Sequence, residues 1–100
     1  MKEENKKIKV NLSKIKAVVE FGGKELEFTD YNKYIANLMK YGNNQIFDIG
    51  WDECARWLYM TEGEVEIECD YLNDIIDIVK KDTQMCKGLK LAIIDLLTLK

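Results

Sequence analysis

The chain has no histidine and no proline in its 100 residues. Without histidine there is no imidazole base, no His-ligated metal, and no Ser-His or Cys-His pair to make a nucleophile. Cysteine is sparse. Cys54, Cys69 and Cys86 are odd in number and show no Cys-x-x-Cys spacing, which disfavours a disulfide framework or a zinc site and leaves them as small core side chains. A phosphate loop is absent too, since no Gly-x-x-x-x-Gly-Lys occurs. The acids lack the spacing and fixed glycine of a calcium loop. No apolar run approaches the ~20 residues of a spanning helix; the longest, Leu91 to Leu97, is broken by Asp95. Met1 to Lys7 carries charges with no apolar stretch behind them, unlike a signal peptide. The resulting expectation is a cytoplasmic, non-enzymatic protein with no cofactor, no metal and no membrane association.

What is present suits a single α+β domain, with residues 1–6 as a solvated, flexible tail and residues 7–100 as the globular part. A hydrophobic share of 47% and a charged share of 33% can supply one core for a chain of this length. Lys, Asn, Ile, Glu and Asp are abundant, which points to AT-rich codons and so to a low-GC bacterium or its phage. The mild net charge of −3 hides a division. Residues 48–82 hold eleven acids against Arg56, Lys80 and Lys81, whereas residues 1–47 hold nine lysines against six acids.

Alternation of Ile8, Val10 and Leu12 with polar residues predicts a strand. The phase slips at Ser13-Lys14 and resumes at Ile15, Ala17, Val19 and Phe21, as at a bulge or bend. A short helix capped by Ser13 is the competing reading. Gly22-Gly23 supplies the two central residues of a hairpin turn. Tyr31, Tyr34, Ile35, Leu38 and Met39 then form a helical stripe, capped by Thr29 or Asp30 and ended by Gly42 in a left-handed conformation. Residues 43–50 read as a short strand or an apolar loop. A second helix begins at Trp51 or Asp52, with Trp51, Cys54, Ala55 and Leu58 as its stripe. Glu64 to Cys69 reads as a strand. Asp70 caps a third helix with stripe Leu72, Ile75, Ile76 and Val79. Thr83 caps a terminal helix carrying Met85, Leu89, Ala92, Ile93, Leu96 and Leu97; a buried strand over 89–97 is the alternative. The expected architecture is a small antiparallel sheet, made of an N-terminal hairpin or meander plus a strand near 64–69, packed with three to four helices.

Three features bear on function. Glu64, Glu66 and Glu68 alternate with Val65, Ile67 and Cys69, so the glutamates form a row on one strand face. Their spacing of about 6.6–7 Å is close to a nucleic-acid backbone step, and such a row suits a Lys/Arg-lined groove. Asp70, Asp74 and Asp77 extend the acidity onto the next helix. The opposing reading is a solvated face neutralised by Lys9, Lys14 and Lys16 across neighbouring strands, each pair adding about 0.2–1 kcal/mol. Secondly, Trp57 and Met60 lie off the second helix's stripe, as a contact patch or as part of a helix buried on several sides. Thirdly, Lys6, Lys7, Lys9, Lys14 and Lys16 form a basic run able to meet phosphates.

In general design (small, acidic in one block, without catalytic apparatus) the chain is similar to nucleic-acid-mimicking inhibitors such as anti-CRISPR proteins. That similarity implies a phage-encoded inhibitor of a basic, nucleic-acid-handling protein, with Glu64, Glu66, Glu68, Asp70, Asp74, Asp77, Trp57 and Met60 as partner-binding residues. The alternatives are an assembly subunit that forms homo-oligomers through its Trp-rich helix, and a lysine-mediated nucleic-acid binder.

Overall fold

The structure, a computed structural model, describes residues 7–42 and 44–98; the tail expected over residues 1–6, Lys6 included, lies outside them. Eight elements follow in order: β1 (Lys7–Asn11), β2 (Lys14–Ala17), β3 (Leu26–Thr29), α1 (Tyr31–Tyr41), α2 (Ile49–Met60), β4 (Glu64–Glu68), α3 (Cys69–Lys81) and α4 (Lys87–Leu97). The fold is α+β. The strands form two antiparallel ribbons, β1 with β4 and β2 with β3.

The phase slip is the junction between the ribbons. Asn11 Oδ1 accepts the backbone N–H groups of Ser13 and Lys14 at 2.9 and 3.3 Å, which turns the chain and keeps both Leu12 and Ile15 inside. Ser13 is tied on both sides: its carbonyl accepts from Asp30 N–H at 2.8 Å, and its Oγ accepts from Gly63 N–H at 3.0 Å.

The hairpin forms, but its turn is shifted. Phe21 and Gly22 are the central residues, with Gly22 at φ 73° and Gly23 N–H donating to the Glu20 carbonyl at 3.1 Å. One positive φ at the third position is a type II arrangement, so the pair Gly22-Gly23 is not the turn centre. The ladder stops at Ala17 opposite Leu26, leaving Val19 and Phe21 in a loop. The start of α4 lies against that loop. A methyl group at Gly88 would run into the Val18 carbonyl oxygen and sit 3.0 Å from Val19 Cα. The glycine that weakens a helix by about 1 kcal/mol is what permits this approach.

Helices α1 and α2 close each other's ends. Asn32 of α1, a fully buried polar side chain, donates its amide to the Leu58 and Thr61 carbonyls at 3.1 and 3.0 Å. Trp51 of α2, also fully buried, donates its indole N–H to the Met39 carbonyl at 2.7 Å. Asn44 adds bonds to Leu38 and Met39 carbonyls at 3.0 and 3.2 Å. Gly42 ends α1 in an extended conformation (φ −83°, ψ −176°) rather than the expected left-handed one; its backbone N–H bonds the Leu38 carbonyl, and the side chains above bond the Leu38 and Met39 carbonyls. Asp30 precedes α1 at φ 64° with no side-chain cap, while Asp48 starts α2 by accepting from Gly50 N–H at 3.0 Å. Residues 44–48 are irregular.

Glu68, not Asp70, occupies the N-cap position of α3, and it makes no side-chain cap bond. Asp70 falls in the first helical turn, where its charge still suits the macrodipole. Residues 89–97 are helical. The cap expected of Thr83 is not made: α4 starts at Lys87 after Cys86, which has no side-chain cap bond, and Met85 lies before the helix. Asp82 instead ties the linker between α3 and α4, its carboxylate accepting from Gln84 and Met85 N–H at 3.0 and 2.8 Å and from the Tyr34 hydroxyl at 2.9 Å. Lys90 Nζ reaches back to the Lys80 carbonyl at 3.1 Å and to the Asp82 carbonyl. Of the cysteines, Cys54 and Cys69 are half-buried against the core, but Cys86 is exposed, because it stands just outside α4. No helix of the described residues is long and apolar enough to cross a membrane.

Asp82 thus joins α1, α3 and the α4 approach. Burial pushes its carboxyl up, but the Met85 N–H, the Tyr34 hydroxyl, the Gln84 N–H and Lys90 outweigh that and hold it below the ordinary 3.8. Burial first, then Asp82, pushes the Tyr34 hydroxyl up to about 12. A carboxyl lowered in the folded state stabilises above its unfolded value and loses that contribution as pH falls through the folded one. Asp82→Ala should therefore cost about 1–3 kcal/mol at neutral pH. The gap from the unaltered protein should narrow as denaturant titrations move below the ordinary carboxylate value.

Candidate functional site

In β4 the buried side chains are Val65 and Ile67, and the glutamates take the other face, Glu64 and Glu66 exposed and Glu68 half-buried. The register sets β1 beside them: Lys9 stands opposite Glu66, Lys7 opposite Glu68, and Asn11 opposite Glu64. Of the three lysines expected to neutralise the row, only Lys9 is there. Lys14 and Lys16 pair across to Thr29 and Glu27 on the other ribbon, because the bend at Leu12-Ser13 sends β2 to β3. Lys7, not foreseen in that role, takes the second place. Glu64 is the one member of the row with no lysine across from it.

Helix α2 runs beside this face. Its buried residues are Trp51, Ala55 and Leu58. Trp57 is 64% exposed and Met60 67% exposed, so the helix is not buried on several sides. The two part company in space. Trp57 joins Glu53, Cys54, Glu66, Glu68, Lys7 and Tyr71 around a concavity of about 290 Å³. Met60 lines a different groove of about 420 Å³ between α1 and α2, with Arg56, Tyr59, Lys40 and Tyr41. Neither Glu53 nor Tyr71 figured among the sequence candidates. Glu53 was legible in principle, since it precedes Trp57 by four residues and shares its face. Tyr71 was not, because its position depends on where α3 packs. Its ring meets Trp51 edge-on at 5.8 Å, and a methyl group at Gly50 would strike its hydroxyl.

The aspartates of α3 do not belong to this concavity. Asp70 is exposed in the first turn. Asp74 and Asp77 lie with residues 44–46 around another hollow, and Asp77 pairs with Lys81 at 3.0 Å on the exposed helix surface. The acidic block is therefore two surfaces: the glutamate row with Glu53, and the outer side of α3.

Electrostatics at the concavity argue against thiol chemistry. Burial, followed by the Glu68 carboxylate, pushes the Cys54 thiol up to about 11, so it is protonated at neutral pH and a poor nucleophile. Burial, then Asp48 and Glu68, also raises the Tyr71 hydroxyl. Among the described residues no group of three or more His, Cys, Asp or Glu is placed to hold a metal ion. The arrangement offers carboxylate acceptors beside an exposed indole. No family model, curated protein or solved structure matches the chain.

Thiol labelling reads this environment directly. At neutral pH an alkylating reagent should modify exposed Cys86 first and leave Cys54 almost untouched. Peptide mass spectrometry across a pH series should show Cys54 labelling climb only towards about pH 11.

Proposed function

We propose that the chain is a non-enzymatic protein-binding module whose contact surface is the glutamate row of β4 together with Trp57. The observation that carries this reading is the concavity shared by Trp57, Glu53, Glu66 and Glu68. An exposed tryptophan flanked by acceptors is the composition of an interface anchor: the indole supplies apolar area and the carboxylates select donors. The partner this chemistry fits is a basic protein with Lys or Arg groups spaced along a groove and an apolar wall for Trp57.

The finer reading is mimicry of a nucleic-acid strand by an inhibitor of the anti-CRISPR kind. The strand rise supports it, holding alternate glutamates about 6.6–7 Å apart. Lys7 and Lys9 oppose it, because their charges offset Glu68 and Glu66 in any long-range field. Glu64 and Glu53 are then the main source of attraction, and the indole carries more of the affinity than simple mimicry would require. The lysines themselves are poor phosphate contacts: Lys7, Lys9 and Lys16 each stand across from a glutamate, and direct nucleic-acid binding needs an uninterrupted basic field.

Affinity capture from a bacterial lysate, with and without heparin as a polyanion competitor, tests the proposal. Basic nucleic-acid-handling proteins should be retained and displaced by heparin. They should be lost when Glu64, Glu66 and Glu68 become lysine, and weakened at least ~10-fold by Trp57→Ala. Retention of the same proteins by both variants would overturn it.

A further inference from the structure

We propose that a second copy of this chain docks on α4, across a two-fold axis passing by Leu91. Leu91 is 57% exposed on the outer side of this helix. It borders a hollow of about 540 Å³ shared with Val18, Val19 and Phe21 of the hairpin loop. Those three side chains are also exposed, Phe21 completely. This apolar surface shares no residue with the concavity at the glutamate row.

The occupant follows from the charges around it. Lys87 and Asp95 lie four residues before and four residues after Leu91, each about one turn away along the same face, and both are exposed. Two α4 helices laid antiparallel with their Leu91 side chains in contact bring Lys87 of each copy to Asp95 of the other. A two-fold interface requires such self-complementarity, because one patch must meet itself. The surrounding charges have the same mixed character: Lys14 and Lys16 share a neighbouring hollow with Glu25 and Asp95. A lipid surface or a nucleic acid would call for one sign, and a row of lysines without acids is not there. Asp95 already interacts within its own chain, and a carboxylate has acceptor sites for more than one donor, so that interaction does not bar the pairing.

The geometry also separates Leu91 from the native exposed thiol. Cys86 lies five residues away, about 7.5 Å along the helix, so in the antiparallel pair the two Cys86 thiols are at opposite ends. A cysteine at position 91 would face its own copy.

Sedimentation velocity on the full chain, from low micromolar to near-millimolar concentration, tests this. The expected result is a concentration-dependent shift from monomer to dimer mass. Leu91→Asp should abolish it, and Lys87→Glu should weaken it at least ~10-fold, since like charges then face across the axis. The double variant Lys87→Glu with Asp95→Lys should recover dimerisation. Leu91→Cys in a Cys86→Ser background should form a disulfide-linked dimer under mild oxidation. A chain that stays monomeric throughout would overturn the proposal. So would a dimer that survives Leu91→Asp with the circular dichroism unchanged, or failure of the charge swap to recover what Lys87→Glu loses.

Discussion

Unclaimed carbonyl oxygens at the helix C-termini are the constraint on which this fold depends. Every helix leaves its last four carbonyls without intrahelical donors, and the usual remedy is a left-handed glycine beyond the end. This chain does not use it: Gly42, Thr61, Asp82 and Thr98 all end their helices in extended conformations. Side chains supply donors instead, three of them from other helices. Asn32 serves the end of α2, Trp51 and Asn44 serve the end of α1, Lys90 serves the end of α3, and Thr98 Oγ1 bonds the Ile94 carbonyl of α4 at 2.6 Å. The first two are reciprocal, α1 closing α2 and α2 closing α1. Hydrogen bonds of this kind contribute only about 1 kcal/mol each when made, but leaving such a group buried and unpaired costs about 1–3 kcal/mol.

That reciprocity governs the surface as well as the core. Directing the Trp51 indole at Met39 fixes the rotation of α2 about its own axis. Ala55 and Leu58 then turn inward, Trp57 turns towards the glutamate row, and Tyr59 and Met60 turn towards the groove with α1. The face shared by Trp57 and the glutamates is a consequence of this packing: an indole from one element and carboxylates from another meet because the α1–α2 pair sets the orientation of α2.

Much of the fold was legible because it rests on periodicity. Alternation identified β1, β2 and β4, and the apolar stripes identified all four helices, including the segment 89–97 where Gly88 favoured doubt. The stripe templates count apolar residues, so they passed over Asn32, which is as buried as Ile35. They also passed over Ile78, buried at the edge of the α3 stripe. Cap positions were less legible, since Glu68 rather than Asp70 precedes α3 and Cys86 rather than Thr83 precedes α4; a cap is decided by where neighbouring donors fall. For the site, the outward direction of the glutamates was readable from strand alternation. The register was not: that Lys7 joins Lys9 opposite the row while Lys14 and Lys16 go to β3 depends on a bend whose direction no local pattern encodes. The division between Trp57 and Met60 is of the same kind, being set by which neighbours flank α2.

The most direct test of this account is the thermal unfolding of Asn32→Asp at neutral pH. The substitution keeps the side-chain shape, replaces the amide donor with an acceptor, and points it at the carbonyls of Leu58 and Thr61. If closure of the α2 end by Asn32 holds the α1–α2 pair together, the midpoint should fall by more than ~10 °C. An Asn32→Asp chain that unfolds at the same temperature as the unaltered protein would contradict it.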